Sequence, residues 1–276
     1  MAKELMIISD LDGTLFRSDN HCAQSDYRTL LNLGDAGHTR VIATGRSLHS
    51  AHKVLAQDFP IDYLIFSSGA GLMNWKTKKI ILAHSLNQAE VTSISRKLRE
   101  YHLNFMLHYP IPENHHFVYH QTEKTSPDFH RRIDLYREFA SPFDFAPETF
   151  GRATQFIAIV RMDEVGLYNK MVEEFGFAKV IRATSPLDHD SIWIEIFPKE
   201  VSKGLTSKQL CRILDFNPKN TVSIGNDFND IDLLLFTAES WVVDNAPKEL
   251  KANYKNSLSN NNGGFTFMVK QVLNNL

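Results

Sequence analysis

"MIISDLDGTLF", residues 6–16, ends a short apolar run in two aspartates, Asp10 and Asp12, followed by Gly13 and Thr14. Met6, Ile7 and Ile8 read as a strand buried on both faces, as in a parallel sheet covered by helices. Such a strand delivers its carboxylates to its carboxyl end, where open α/β sheets bind ligands. Two like charges two residues apart repel unless something cationic sits between them. The stretch therefore hints at a metal ion.

Outward from it, the chain alternates. Residues 24–34 place Tyr27, Leu30, Leu31 and Leu33 on one side of a helix. "TRVIATGR" (39–46) is a second strand ending in Thr44-Gly45-Arg46, and Ser47 stands where a helix N-cap belongs. "IDYLIFSSGAG" (61–71) is a third strand with a small-residue tail. Strand, helix, strand, helix, strand is the signature of a parallel α/β sheet. The rhythm then changes to a hairpin around Lys76-Thr77-Lys78, a helix over 88–102 and strand-like pieces between proline-rich and polar loops over 104–160. A helix over 163–175 and the strands "KVIRATS" and "SIWIEIF" follow. The α/β pattern returns with a helix over 202–216, then "TVSIGNDFNDIDLL" (221–234), the strand "SWVVDNAP" and helices flanking the loop "NSLSNNNGG". The expected fold is a three-layered α/β/α core of residues 1–84 and 198–276, carrying an inserted α+β domain over 85–197.

The bulk composition narrows the function. A net charge of −2 gives no basic field for nucleic acid or an anionic membrane surface. No apolar run approaches the roughly 20 residues that span a bilayer. Cys22 and Cys211 make no disulfide framework and suit a reducing cytosol. The opening "MAKELMIISD" enters a strand at once, with an early acidic residue, unlike a signal peptide. A cytoplasmic protein, monomer or homodimer, with no nucleic-acid or membrane partner, is expected.

Four pieces fall at or just beyond strand ends: Asp10-Leu11-Asp12-Gly13-Thr14, Thr44-Gly45-Arg46, Lys203-Gly204 and Gly225-Asn226-Asp227-Phe228-Asn229-Asp230. If their strands are parallel neighbours, the pieces converge. Together they offer carboxylates, a hydroxyl with backbone amides, an ammonium and a second acidic cluster. Mg²⁺ takes hard oxygen ligands. A phosphoryl group takes cations and hydrogen-bond donors. The set matches both.

With "DLDGT", "ATGR", "FPKEVSKG" and "SIGNDFND" in this order, the chain resembles haloacid dehalogenase superfamily phosphatases of the Cof-like group, whose large α/β cap lies between the second and third motifs. The resemblance covers essentially the whole chain. It implies a Rossmann-like core and a C2-type cap that closes over the site and selects the leaving group. It implies Asp10 as nucleophile, through an aspartyl-phosphate, and Asp12 as general acid and then base. It implies Thr44, Gly45, Lys203 and Asn229 around the phosphate, with Lys203 paired to Asp10. Mg²⁺ would sit on Asp10, the Asp12 carbonyl and the fourth motif. The implied substrate is a small phosphomonoester, most naturally a sugar phosphate. A sugar phosphomutase shares these motifs, and a catalytically weak phosphate-binding or regulatory protein is the rival from another class.

Two places depart from the group's pattern. Asn226 stands where an aspartate is common, so the fourth-motif metal ligand is Asn226, Asp227 or Asp230. "SSGAG" (67–71) stands where Asn-Gly is common, with Ser68 in that place. In the insert, His102, His108, His115, His116, His120 and His130 crowd together. His116 and His120 would share a face, but no cysteine or carboxylate cluster accompanies them at zinc-like spacing, so a polar surface is expected. Tyr119 and Trp193 are read as packing rather than sugar-stacking residues, and Arg131-Arg132 as a solvated helix face.

Overall fold

The computed structural model describes residues 4–124, 126–185 and 191–274; the first three residues of the opening segment lie outside them. The chain separates into two compact units, Met1–Leu82 with Ser202–Leu276, and Ala83–Val201.

The first unit begins with β1 (Met6–Ser9), α1 (Gln24–Asp35), β2 (Thr39–Ala43), α2 (Leu48–Val54), β3 (Tyr63–Phe66), β4 (Gly71–Asn74) and β5 (Lys79–Ala83). The second holds α3 (Gln88–Glu100), β6 (Phe105–His108), β7 (Phe117–His120), α4 (Pro127–Leu135), β8 (Ala140–Pro142), β9 (Gln155–Arg161), α5 (Gly166–Glu174), β10 (Ala178–Thr184) and β11 (Ser191–Pro198). The first then resumes with α6 (Lys203–Ile213), β12 (Thr221–Gly225), α7 (Ile231–Phe236), β13 (Glu239–Val242), α8 (Lys248–Asn253), β14 (Lys255–Asn256) and α9 (Gly264–Asn274).

The first sheet has the order β14-β13-β12-β1-β2-β3-β4-β5. Its six strands from β14 to β3 run parallel, and β4 turns back antiparallel on β3. All four residues of β1 are buried, as a strand covered on both faces must be. Met6 and Ile8 pack against Leu210 and Cys211 of α6 and Leu233 of α7. Successive side chains alternate, so Ile7 points to the opposite face, the side on which α1 lies beside β2 and α9. The chain leaves β1 toward β2 but leaves β12 toward β13. The strand order thus reverses between β1 and β12, and their carboxyl ends mark the topological switch point, where open α/β sheets bind ligands.

The second sheet, β10-β11-β9-β6-β7-β8, is antiparallel except where β7 meets β8. One face, with Phe105, Leu107, Phe156, Ala158, Ile194 and Ile196, packs on Val91, Ile94 and Leu98 of α3 and Met171 of α5. Asn87 caps α3, accepting from Glu90 N at 3.0 Å while the Glu90 carboxylate accepts from Asn87 N at 2.8 Å.

The other face corrects the loop reading of 104–160 and the solvated reading of Arg132. Helix α4 lies there, with Phe129 and Ile133 against Met106, Ile157 and Trp193. Its sequence signal was Pro127 in the first turn, with Phe129, Ile133 and Tyr136 at helical spacing. Arg131 is exposed as expected, but the Arg132 guanidinium lies 4.5 Å from the Trp193 ring centre. Burial lowers the Arg132 pKa. Trp193 is packing as read: it is buried, and its Nε1 donates to Asp128 Oδ2 at 2.7 Å.

Gly204, in the first turn of α6, touches α7 so closely that a Cβ would run into the Asp232 carbonyl. Replacing a helical glycine by alanine ordinarily stabilises by about 1 kcal/mol. Here overpacking against backbone reverses the sign, and Gly204→Ala is expected to lose about 1–3 kcal/mol. Urea midpoints of variant and parent measure this; an unchanged or higher midpoint refutes the contact.

Candidate active site

Backbone bonds fix where each motif begins. Asp10 N donates to Ile224 O at 3.0 Å, tying the end of β1 to β12. Thr44 N donates to Ile65 O at 2.9 Å, and Ser68 N to Thr44 O at 3.0 Å, tying the ends of β2 and β3. Ser202 caps α6 by accepting from Leu205 N at 3.1 Å, which aims Lys203 from the first turn.

Lys203 is the centre. Its side chain is 1% exposed, against 7% for Asp10 and 0% for Asp230. Its ammonium donates to Asp10 Oδ1 at 2.7 Å, Asp230 Oδ1 at 2.6 Å and Asn229 Oδ1 at 3.4 Å. The second Asp230 oxygen accepts from Asn226 N at 2.8 Å and Asp227 N at 3.1 Å. Asp230 thus holds the lysine with one oxygen and the fourth-motif loop with the other.

The remaining predicted residues surround this ion cluster. A Cβ on Gly45 would stand 3.6 Å from Ser68 Oγ and 3.9 Å from Asn229 Nδ2, so the second motif, the β3 turn and the fourth motif touch. Thr44 is buried, and its hydroxyl accepts from Arg46 N at 3.1 Å. Gly13 has φ +74°, and a Cβ there would lie 2.5 Å from Asn226 Nδ2. Only glycine combines that backbone with that approach. Ser67 and Ser68 hold φ of 49° and 54° without being glycine. Such strain persists only where surroundings over-determine it; Thr206 Oγ1 donates to the next carbonyl, Gly69 O, at 2.7 Å.

One partnership escaped the sequence reading. Arg46 clamps Asp12 with both prongs, Nε to Oδ2 at 2.8 Å and Nη2 to Oδ1 at 2.7 Å. The two are 34 residues apart, and nothing local pairs them. The same holds for Asp230 as the lysine's second carboxylate. A weak signal existed, since a buried ammonium needs compensating charge.

Electrostatics set what the site can hold. Burial pushes the Asp10 carboxyl up to about 7, while Lys203 pulls it down. Burial lowers the Lys203 pKa, but the carboxylates of Asp10 and Asp230 together raise it more, and it stays an ammonium. If ionised, the four aspartates Asp10, Asp12, Asp227 and Asp230 outweigh Lys203 and Arg46 by two charges, the charge of one divalent cation. The donors available from Asp10, the Asp12 carbonyl, Asn226 and Asp227 are oxygens, which suits a hard cation. The residues present fit such an ion.

A parallel sheet with a buried lysine between two aspartates at its carboxyl edge defines an enzyme that manages anionic chemistry. Residues 7–266 match the haloacid dehalogenase-like hydrolase family, and the chain belongs to it. It is 24% identical over 259 residues to the pyridoxal phosphate phosphatase YbhA of Escherichia coli, covering 90% of each chain. Its fold matches SMU.1108c from Streptococcus mutans, with a TM-score of 0.78 and 18% identity over 99% of this chain and 100% of that one. It also matches the subclass IIB sugar phosphatase BT4131, with a TM-score of 0.75 and 18% identity over 97% of this chain and 98% of that one. Phosphoryl-transfer enzymes of this superfamily use a divalent metal. Among the described residues, no helix is long and apolar enough to cross a membrane.

Removing one member of a buried ion cluster leaves uncompensated charge and costs about 3–5 kcal/mol. Asp230→Ala strips Lys203 of one carboxylate and two loop amides of their acceptor. A loss of that size in chemical denaturation is expected, against a smaller loss for Asp230→Asn, which keeps an acceptor. Equal stability of the parent and Asp230→Ala would refute the anchoring role.

Proposed function

We propose that the chain, a phosphatase of this superfamily, hydrolyses a small phosphomonoester, of the sugar phosphate class, with Mg²⁺ and through a phosphorylated Asp10. The observation that carries the reading is the buried Lys203 ammonium held at 2.7 Å from the buried Asp10 carboxylate at the sheet's carboxyl edge. The pairing favours the Asp10 carboxylate against the burial that disfavours it. A carboxylate held so can attack phosphorus as the bond to the leaving oxygen breaks. A protonated Asp12, with one oxygen released from the Arg46 guanidinium that otherwise favours its carboxylate, gives its proton to that oxygen. Asp12 then takes a proton from the water that attacks phosphorus, freeing Asp10 and inorganic phosphate. Thr44, the Gly45 backbone, Asn229 and Lys203 supply donors to the phosphoryl oxygens. Bound to Asp10, the Asp12 carbonyl, and Asn226 or Asp227, Mg²⁺ supplies positive charge that offsets repulsion between anionic nucleophile and anionic ester. Both Asp230 oxygens are engaged by Lys203 and the loop amides, which favours Asn226 and Asp227 over it. The sugar class rests on likeness to BT4131, and YbhA's pyridoxal phosphate belongs beside it in any screen.

The test is release of inorganic phosphate from a panel of sugar phosphates and pyridoxal phosphate, with Mg²⁺ and with chelator. Turnover only with Mg²⁺ supports the proposal. An isomerised sugar phosphate without phosphate release turns it into a mutase, and no turnover of any ester favours a binding protein. Asp10→Asn is expected to lose turnover with the fold intact; activity above a tenth of the parent's excludes it as nucleophile. Lys203→Ala is expected to lose about 10²-fold or more. Arg46→Ala is expected to lower kcat by about tenfold or more with a smaller change in KM, since it orients the acid rather than the ester. An unchanged kcat removes Arg46 from the mechanism.

A further inference from the structure

Residues 109–116 join β6 to β7 in the second unit, and they fold back on themselves. Tyr109 N donates to His116 O at 3.1 Å, Glu113 N to Pro110 O at 2.9 Å and His116 N to Glu113 O at 2.9 Å. The loop's middle is pinned from beneath, with His108 Nδ1 and Asn114 O 2.8 Å apart and both residues buried. The His115 and His116 rings lie 4.4 Å apart, and each meets Phe139 edge to face, at 4.9 and 5.0 Å. That packing, together with its low exposure, restricts the His115 imidazole before any ligand arrives.

The sequence argued against a metal here because His116 and His120 lacked an accompanying carboxylate. The fold separates that pair: His120 packs on Phe105, with ring centres 5.1 Å apart. It substitutes a different set. Glu113 Oε2 lies 3.8 Å from His115 Nε2 and 3.7 Å from His116 Nε2. One donor atom from each of the three side chains lies within 4.8 Å of the others. The two carboxylate–imidazole separations exceed a hydrogen bond. They approach the roughly 3.3 Å between ligands of a tetrahedral zinc ion with bonds near 2.0–2.1 Å. Closing the triangle needs rotation of the Glu113 and His116 side chains, which are 65% and 40% exposed, while His115 at 13% stays fixed.

We propose that Glu113, His115 and His116 bind a borderline divalent transition-metal ion, Zn²⁺ above all, with water completing the tetrahedron. Two imidazole nitrogens and one carboxylate suit Zn²⁺, Co²⁺ or Cu²⁺ and not Mg²⁺. The site is therefore chemically distinct from the all-oxygen donor set around Asp10. Bound there, the ion cross-links a loop whose three ligands fall within four residues.

The experiment uses untagged full-length protein in excess Mg²⁺, which fills the oxygen site. Zn²⁺ titrated by calorimetry is expected to bind at one equivalent. Cu²⁺ in its place is expected to show nitrogen superhyperfine coupling in its EPR spectrum, which an oxygen site cannot give. Both His116→Ala and Glu113→Gln, at exposed side chains that leave the fold intact, are expected to weaken Zn²⁺ at least tenfold. The parent's melting temperature is expected to rise with Zn²⁺ and His116→Ala's to stay unmoved. Absent binding, absent nitrogen coupling, or less than tenfold weakening in either variant overturns the proposal and leaves a water-separated ion pair.

Discussion

A lysine ammonium buried between two carboxylates is the constraint on which the first unit turns. Taking Lys203 out of water costs several kcal/mol unless opposite charge meets it closely. Asp10, 193 residues earlier, and Asp230, 27 residues later, do so at 2.7 and 2.6 Å. Neither contact exists in a local segment. Only the parallel pairing of β1 with β12, and the packing of α6 on β1, brings the three together. The same arrangement leaves Asp10 raised by burial and held by one cation, the state from which the proposed attack on a phosphate ester starts.

Close backbone approach supports that arrangement. Gly13, Gly69 and Gly204 stand where a Cβ would strike Asn226, the Ser202 carbonyl or the Asp232 carbonyl. The first joins two loops through the Asn226 side chain, and the other two bring main chains of separate segments together, in the case of Gly204 those of α6 and α7. The paired left-handed serines, Ser67 and Ser68, carry strain that this crowding sustains. Arg46 then orients Asp12 from a different strand end, with two parallel charged hydrogen bonds that fix direction as well as distance.

The inserted unit follows another logic. Its sheet buries polar groups as well as apolar ones. Asp128 accepts from Trp193 Nε1 and Ser185 Oγ at 2.7 and 2.9 Å beneath α4. Burial pushes the His108 imidazole down to about 3, so it stays neutral and available to hold Asn114. That buried pair adds to the backbone hydrogen bonds that close the 109–116 loop, on which Glu113 and His116 are exposed and His115 is mostly buried.

Sequence alone determined the elements and the chemistry of the ends. Runs such as Met6–Ser9 and Thr221–Gly225 are buried throughout and made of apolar or small residues, because both faces of their strands are covered, and that signal is local. The four motifs at strand ends were legible for the same reason: aspartate, glycine and lysine interrupt the apolar pattern. Helix α4 was readable from Pro127, Phe129 and Ile133 but was hidden among polar residues. Tertiary structure decided the partnerships. Arg46 with Asp12, Asp230 with Lys203, and Glu113 with two histidines are contacts between side chains whose meeting depends on strand order, loop closure and glycine-permitted approach. Hydrophobic periodicity records which way a residue faces; it carries no record of which charge waits on the other side.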